Sequence, residues 1–316
     1  MCNNMKTISY LCGKNRQSME AIQNFSEMIA HLQGRKDRKR VAVVCPYDEG
    51  TQGAVKKALQ AGFIEALLVG ERPRIEPAFG DIGEGISYVE AANADDAAAQ
   101  AVALCREGRA DVMMKGLLNT DDLLRAILNK ETGMLPKGRV LTHVTCAQIP
   151  GYDKLLFVSD VAVIPYPNAQ QRQEQLRYLL GLCRGMGIQE PRVGLINCTE
   201  KVNAKHFPFT VEYKELIAQA EAGQYGPCIV DGPLDLKTCL SAHTLHKKGL
   251  QSPLEGHADA LIFPDIQAGN VFYKTITLFT EAQTAAILCG PQVPVVLPSR
   301  GDSIENKFYS IALASL

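Results

Sequence analysis

The sequence predicts an α/β protein with two α/β domains, mainly parallel sheets and a cleft between the domains. Two observations support this fold class. Short β-branched runs, such as residues 41–45 and 112–114, alternate with amphipathic segments of about 10 to 15 residues, a pattern that is typical of βαβ units. The chain is also 316 residues long, which is sufficient for two domains of ordinary size.

The alternation of strands and helices continues to the C-terminus. A first helix is expected from Ser18, which would cap it, because apolar residues recur at helical spacing up to Gly34. Strands are predicted at 41–45, 66–69, 86–89, 112–114, 140–145, 155–158, 193–196, 228–230, 260–263, 285–288 and 295–297. Further helices are predicted at 53–61, 95–106, 120–128, 169–186, 210–222, 238–247, 270–281 and from 303 onward.

The domain boundaries are expected near residues 138 and 300. The first domain would comprise residues 1–138 together with about 300–316, and the second residues 139–299. Two predicted strands lie close together between 140 and 160 and are joined through Pro150-Gly151, so a protruding hairpin is expected there. Pairing of this element with a second copy would give a homodimer or a higher homo-oligomer.

The composition predicts a cytoplasmic protein. The chain has 33 Lys and Arg residues against 34 Asp and Glu residues, a balance that argues against a nucleic-acid partner. Its ten cysteines form no Cys-x-x-Cys pair, as expected for buried free thiols in a reducing compartment. No leader segment and no apolar run of about 18 residues is present, so no membrane partner is expected.

A first candidate site follows the strand at 112–114. Lys115 and Gly116 stand at the exit of this strand, Thr120 or Asp121 can cap the next helix, and Arg125 lies just over one turn into it. A lysine, free backbone N–H groups and an arginine in this arrangement suit a phosphate or acyl-phosphate oxygen. The alternative is a surface lysine, an ordinary cap and a solvated arginine.

A second candidate site follows the strand at 260–263. Asp265 stands at the strand exit, Gly269 and Asn270 stand at the helix start, and Lys274 lies four residues later on the same face as Asn270. Glycine permits close backbone approach, and asparagine can cap the helix or bind a ligand. The alternative is a capped and well-packed helix without a ligand.

A third candidate site follows the strand at 295–297. Ser299 is a hydroxyl donor, Arg300 is a permanent cation, and Asp302 is a candidate base or helix cap, while Gly301 allows a tight turn. Open α/β folds bind ligands at the carboxyl ends of strands, next to helix N-termini. This turn is therefore predicted to form one wall of an inter-domain active site.

Several ordered motifs give the sequence a wider resemblance. The chain resembles the phosphate acetyl/butyryltransferase family from about residue 40 to the end, and Lys115-Gly116 and Glu200-Lys201-Val202-Asn203 are more similar to the butyryl branch. The matching runs are Met114-Lys115-Gly116-Leu117, Asp122-Leu123-Leu124-Arg125, Gly138-Arg139-Val140-Leu141-Thr142-His143-Val144, Pro150-Gly151-Tyr152-Asp153-Lys154-Leu155-Leu156-Phe157, Glu200-Lys201-Val202-Asn203, Val230-Asp231-Gly232-Pro233-Leu234, Pro264-Asp265, Gly269-Asn270, Tyr273-Lys274 and Ser299-Arg300.

The resemblance implies a reaction and its substrates. Acyl-CoA, with a butyryl or similar short or branched chain, and inorganic phosphate would give acyl phosphate and CoA. The family transfers the acyl group directly in a ternary complex, without a metal, a tightly bound cofactor or a covalent acyl-enzyme, and coenzyme A is a substrate. The resemblance also implies an architecture related to isocitrate and isopropylmalate dehydrogenases.

The resemblance also implies roles for individual residues. In the acetyl branch, the residues matching Ser299, Arg300 and Arg125 line the site, and an aspartate seven residues after the serine is the base for the CoA thiol. This chain has Asn306 at that position, so Asp302, Glu305 or no protein base at all would take the proton.

Three other functions remain open on the sequence. An acetyl-specific phosphate acetyltransferase would use the same site. A metal- and NAD(P)-dependent decarboxylating dehydrogenase would need an Asp-rich metal cluster, whereas no zinc-type, nucleotide-loop or dinucleotide-binding motif is found in the chain. A non-catalytic CoA-binding protein is suggested only by Asn306.

Overall fold

The computed structural model describes residues 20–299 and 301–316. Its helices are α1 Phe25–Gln33, α2 Glu49–Ala61, α3 Arg72–Phe79, α4 Ala94–Arg106, α5 Thr120–Ile127, α6 Ala169–Gly185, α7 Phe209–Glu221, α8 Leu236–Leu240, α9 Ala242–Lys247, α10 Ile266–Phe279 and α11 Ile304–Ala314. Its strands are β1 Lys39–Val44, β2 Ile64–Gly70, β3 Ile86–Glu90, β4 Val112–Lys115, β5 Thr142–Gln148, β6 Leu156–Ser159, β7 Arg192–Ile196, β8 Ile229–Leu234, β9 Ala260–Ile262, β10 Gln283–Cys289 and β11 Val295–Val296.

The described chain divides into two compact units. The first unit comprises Phe25–Leu141 and Gln283–Leu316, and the second comprises Thr142–Ala282 with residues 20–24. Residues 283–299 therefore belong to the first unit, whereas the sequence analysis assigned them to the second domain. The physical reason is strand pairing, because β11 pairs with β4 of the first unit and with β10.

In the first unit the strand order is β3-β2-β1-β4-β11-β10. All neighbours are parallel except β10 and β11. The register places Val44 of β1 opposite Lys115 of β4, and Val296 of β11 opposite Met114. The carboxyl ends of these three parallel strands thus meet at one edge of the sheet, which is where the first and third candidate sites were predicted.

The C-terminal helix α11 packs on the sheet of the first unit, against β10 and α2. Its residues Phe308 and Ile311 are buried, and Tyr309 stacks on Phe25 of α1 with 4.5 Å between ring centroids. This packing fixes the start of the helix and its N-cap, Ser303.

In the second unit the strand order is β5-β6-β9-β7-β8, with only β5 and β6 antiparallel. Every residue of β6, and every residue of β5 except Gln148, is buried. A protruding hairpin at 140–160 was expected, and the structure differs, because β6 pairs with β9 as well as with β5. Both strands are built into the sheet, where their side chains face cores rather than solvent.

The predicted α/β class with mainly parallel sheets is confirmed, and each predicted strand run contains a strand. Helix α3 was not predicted, because Pro73 and Pro77 interrupt its short pattern. The helix expected at 238–247 is two short helices, α8 and α9, that break at Ser241. The proposed cap Ser18 lies outside the described residues, within which the first helix begins at Phe25.

Most cysteines in the described part of the chain are buried, as predicted. Cys45, Cys105, Cys146, Cys183 and Cys239 are buried, Cys228 and Cys289 are half-buried, and Cys198 is exposed. Burial raises the pKa of Cys105 to about 12, so this thiol is inert near neutral pH.

Candidate active site

The exit of β4 brings its backbone very close to the exit of β1. The N–H of Gly116 donates to the carbonyl of Val44 at 2.8 Å, and the N–H of Leu117 donates to the carbonyl of Cys45 at 2.8 Å. A Cβ atom on residue 116 would collide with both carbonyls, so only glycine fits there. Lys115 is buried beside it, and its Nζ donates to the Gly116 carbonyl at 3.3 Å.

The turn after β11 is closed by hydrogen bonds between its two ends. The N–H of Ser299 donates to Oδ2 of Asp302 at 2.7 Å, and the N–H of Asp302 donates to the carbonyl of Ser299 at 3.2 Å. Ser303 then caps α11 by accepting from the N–H of Asn306. Ser299 is exposed at this edge, while Arg300 lies outside the described residues.

The residues weighed as bases each have another partner. Asn306 accepts a hydrogen bond from the N–H of Thr284 at 3.1 Å, so it anchors the start of β10 and carries no titratable group. Glu305 pairs with Lys57 at 2.9 Å, and this hydrogen bond lowers the pKa of Glu305. Asp302 uses Oδ2 in the turn and has no further hydrogen bond among the described residues, which leaves Oδ1 for a ligand.

A buried lysine, Lys307, lies on α11 beside the exit of β1. Its Nζ is 3.3 Å from Oδ1 of Asp48, the residue that caps α2 by accepting from the N–H of Thr51 at 2.8 Å. Burial opposes ionisation of Asp48, but hydrogen bonds from Thr51 and the charge of Lys307 keep its pKa below the usual value. A Cβ atom on Gly50 would lie 2.5 Å from Nζ, so glycine makes room for the ammonium group.

The sequence analysis did not single out Lys307 and Asp48. A usable signal was present, because Lys307 lies three residues after Ile304 and four before Ile311, on the apolar face of the helix. A lysine in the middle of an apolar face needs a buried partner, and the partner here comes from 259 residues away in the chain.

Thr120 and Arg125 lie on α5, beyond the exit of β4. Thr120 is the first residue of the helix, and Asn119 is the N-cap, although its side chain makes no capping bond. The Arg125 side chain is 73% exposed and pairs with Asp122 at 3.0 Å. It lines a groove of about 460 Å³ between α4 and α5, together with Arg106. Neither helix encloses Arg125, so its guanidinium is accessible to a soluble anion.

In the second unit, Asp160 organises the exit of β6. This buried carboxylate accepts four hydrogen bonds, from Oγ1 of Thr142 at 2.6 Å and from the N–H groups of His143, Ala162 and Val163 at 2.7 to 3.0 Å. The four donors join the start of β5 to the loop after β6. The sequence analysis missed Asp160, since the residue type alone does not show that one of its donors, Thr142, lies 18 residues away along the chain.

The start of α10 packs directly on this loop. A Cβ atom on Gly269 would collide with the carbonyl of Asp160, and Nδ2 of Asn270 donates to the carbonyl of Val161 at 3.1 Å. Asp265 caps the helix by accepting from the N–H of Ala268 at 2.8 Å. Lys274 is exposed and its Nζ lies 5.1 Å from the ring centroid of Tyr273. Three predicted residues thus have definite packing or capping contacts, and Lys274 faces solvent further along the helix.

Each unit gathers its predicted residues at the carboxyl edge of parallel strands. The first unit brings Lys115, Gly116, Ser299 and Asp302 to the edge of the adjacent strands β4 and β11, with Thr120 and Arg125 on the helix that follows β4. The second unit brings Asp265, Gly269 and Asn270 to the edge of β6 and β9. A buried lysine, close backbone approach and a helix N-terminus are features that suit a small anionic ligand.

Comparison with known proteins places the chain within one family. A family model described as phosphate acetyl/butaryl transferase matches residues 83–315. The chain therefore belongs to this family, and the resemblance predicted from its motifs is confirmed.

Named relatives cover nearly the whole chain. The phosphate butyryltransferase of Clostridium acetobutylicum is 39% identical over 298 residues, which cover 93% of this chain and 98% of the relative. The phosphate acetyltransferase of Thermotoga maritima is 34% identical over 294 residues, which cover 92% of this chain and 99% of the relative. A branched-chain phosphotransacylase from Enterococcus faecalis has a solved structure that superposes with a TM-score of 0.76, at 29% identity, over 87% of this chain and 97% of that protein.

Residues 20–299 and 301–316 contain no cluster of three or more His, Cys, Asp or Glu side chains that could hold a metal ion. Within the same ranges, no helix combines the length and apolarity needed to span a membrane.

Proposed function

We propose that this protein transfers an acyl group reversibly between coenzyme A and inorganic phosphate. Acyl-CoA and phosphate give acyl phosphate and CoA. The observation that carries the proposal is the arrangement at the edge of β4 and β11, where a buried lysine and the Ser299–Asp302 turn follow adjacent parallel strands. The family model that matches the chain describes phosphate acyltransferases. A butyryl or similar short or branched chain is the preferred acyl group, as the names of the Clostridium and Enterococcus proteins suggest.

In the proposed mechanism, a phosphate oxygen attacks the thioester carbonyl, an oxyanion develops and the CoA thiolate leaves. Ser299 Oγ donates a hydrogen bond to the oxyanion, and Arg300 holds the phosphate through its planar fork of donors. Lys115 adds a fixed positive charge at the neighbouring strand exit. Holding both substrates in one complex supplies much of the remaining rate increase, and no covalent acyl-enzyme is formed.

In the reverse direction, the CoA thiol must lose a proton before it attacks acyl phosphate. We assign Asp302 as the candidate base, because Oδ1 is uncommitted among the described residues while Oδ2 holds the turn. Asn306 has no proton-accepting carboxylate and is engaged by Thr284. A thiol of pKa about 8.5 needs only a modest depression by nearby cations to react near neutral pH.

The remaining sequence predictions complete this proposal. Asp265, Gly269, Asn270 and Lys274 would bind substrate from the second unit. Gly116 and Thr120 would add backbone and hydroxyl donors to the phosphate site. The protein would be a cytoplasmic homodimer or a higher homo-oligomer.

One assay separates this function from its alternatives. We expect phosphate-dependent release of CoA thiol, faster from butyryl- and isobutyryl-CoA than from acetyl-CoA and unchanged by EDTA. A preference for acetyl-CoA would select the acetyltransferase alternative. Reduction of NAD(P) that EDTA abolishes would select the dehydrogenase, and CoA binding without thiol release would select a non-catalytic binding protein.

Replacing Arg125 by alanine should raise the phosphate KM about 10- to 100-fold with little change in kcat, which corresponds to the loss of a hydrogen bond to a charged group. The side chain is 73% exposed, so folding should not change. Steady-state kinetics with varied phosphate measure the effect. Arg109→Ala is the matched control, since Arg109 is also an exposed arginine paired with an acidic neighbour. An unchanged phosphate KM in Arg125→Ala would remove Arg125 from the site.

A further inference from the structure

Arg172 of α6 is a buried arginine that the proposed mechanism does not use. Its side chain is only 4% exposed. The guanidinium donates hydrogen bonds to the carbonyl of Pro167, to the carbonyl of Pro264 at 3.0 Å and to Oε2 of Glu212 at 2.8 Å. A planar guanidinium carries five N–H donors in a fixed fork, so one side chain joins the loop before α6, the turn after β9 and helix α7.

Two aromatic rings of α7 restrict the guanidinium further. Its Cζ atom lies 5.5 Å from the ring centroid of Phe209 and 5.7 Å from that of Tyr213, within the range of a cation–π interaction. Tyr213 is itself buried, and its hydroxyl donates to the carbonyl of Ile196, the last residue of β7, at 3.0 Å. The arginine and the tyrosine therefore connect α7 to the carboxyl ends of both β9 and β7.

The contact with Pro264 lies directly beside a predicted site residue. Pro264 stands between β9 and Asp265, and Asp265 caps α10. On the other side of Asp265, the N–H of Ile266 donates to the carbonyl of Pro165 at 3.0 Å. The backbone is thus held immediately before and immediately after Asp265, in both cases by a residue from the segment 165–172.

We propose that Arg172 is a positioning residue for the part of the active site that the second unit supplies. It holds the carbonyl of Pro264, and this contact fixes Asp265 and the start of α10, where Gly269 and Asn270 lie. Because its side chain is buried, Arg172 acts through this turn and not by contact with a substrate. This role rests on the proposed function, in which Asp265 and the start of α10 bind substrate.

Loss of the Arg172 side chain should displace the turn at Pro264. Arg172→Met retains an apolar side chain of similar length but none of the donors, so the carbonyls of Pro264 and Pro167 lose a partner. A misplacement of about 1 Å can reduce a rate on the order of 100-fold. We therefore expect kcat/KM for butyryl-CoA to fall about 10- to 100-fold, measured as phosphate-dependent thiol release well below the melting temperature of each variant.

Arg184→Met is the matched control. Arg184 lies on the same helix, and its Nη2 donates to the carbonyls of Tyr225 and Pro227 at 2.7 and 2.8 Å. Pro227 precedes β8, so these contacts lie at the amino edge of the sheet, opposite to the turn after β9. Both variants should lower the melting temperature, whereas kcat/KM should fall only in Arg172→Met. This difference separates a positioning role from a purely structural one.

Hydrogen exchange at the Ile266 amide reports on the turn directly. The hydrogen bond from Ile266 to Pro165 should open more often when Pro264 is released, so exchange should be faster in Arg172→Met than in wild type or Arg184→Met. If Arg172→Met does not fold, Arg172→Lys takes its place in both measurements, because an ammonium group keeps the charge but loses the planar fork.

Equal losses of kcat/KM in the Arg172 and Arg184 variants would overturn the proposal, and so would wild-type kcat/KM in the Arg172 variant. Exchange at Ile266 that stays at the wild-type rate would overturn it as well. Wild type without phosphate-dependent thiol release would reject the proposed function instead, and the exchange rate at Ile266 would then decide alone whether Arg172 holds the turn.

Discussion

Replacement of Ser299 by alanine is expected to lower kcat about 10²- to 10³-fold with little effect on the CoA KM. Loss of one hydrogen-bond donor to a developing oxyanion has a cost of this size. The donor acts mainly in the transition state, so substrate binding should change little. The hydrogen bond from the Ser299 N–H to Oδ2 of Asp302 persists in the variant, and therefore the turn should keep its shape. Steady-state kinetics of thiol release measure both constants.

Ser303→Ala is the matched control for this experiment. Ser303 is a nearby serine that caps α11 by accepting from the N–H of Asn306. Loss of this cap should lower the free energy of unfolding by about 1 kcal/mol and leave kcat near the wild-type value. If Ser299→Ala retains wild-type kcat, Ser299 is not the oxyanion donor and the catalytic role of the turn is wrong.

Replacement of Asp160 by alanine should destabilise the second unit by about 3 to 5 kcal/mol. The substitution removes the acceptor of four hydrogen bonds in a buried place, and unsatisfied buried donors cost about 1 to 3 kcal/mol each before relaxation. The loop that Gly269 and Asn270 contact should loosen as well. Urea unfolding followed by circular dichroism measures this loss of stability as a lower midpoint concentration of urea.

Two companion variants sharpen the test of Asp160. Asp160→Asn keeps one carbonyl acceptor, so its free energy of unfolding should lie between those of wild type and Asp160→Ala. Asp153→Ala removes an exposed carboxylate from the loop between β5 and β6, and its stability should stay within about 0.5 kcal/mol of wild type. An Asp160→Ala midpoint equal to that of Asp153→Ala would show that the carboxylate does not hold the loop.

The sequence predicted the strands well because their signal is local. Each strand is a short β-branched or apolar run bounded by polar or glycine residues, and that pattern needs no knowledge of distant contacts. Helix α3 escaped prediction because prolines lie within its eight residues, and proline normally argues against a helix interior. The broken helix at Ser241 and the extra turn at the start of α10 are differences at element ends, where local signals are weakest.

The site was predicted unevenly for the same reason. Lys115, Gly116 and Ser299 follow strand ends in the sequence, so the rule that ligands bind at the carboxyl ends of parallel strands selected them as candidates. Lys307 and Asp160 were not predicted, because the role of each depends on a partner from another segment of the chain. Asp302 looked from the sequence like a base or a cap, and the structure adds that one of its oxygens closes the turn.

The sequence by itself determined the α/β class, the order of the strands along the chain, the strand ends that carry polar residues and the family. These properties depend on residue types and their spacing, both of which can be read from short stretches of the sequence. Only the tertiary structure decided that β11 lies beside β4, that β5 and β6 are part of a sheet and that Val271, Leu278 and Phe279 of α10 are exposed. Strand neighbours and solvent exposure depend on which distant segments meet, and a single sequence does not record that pairing.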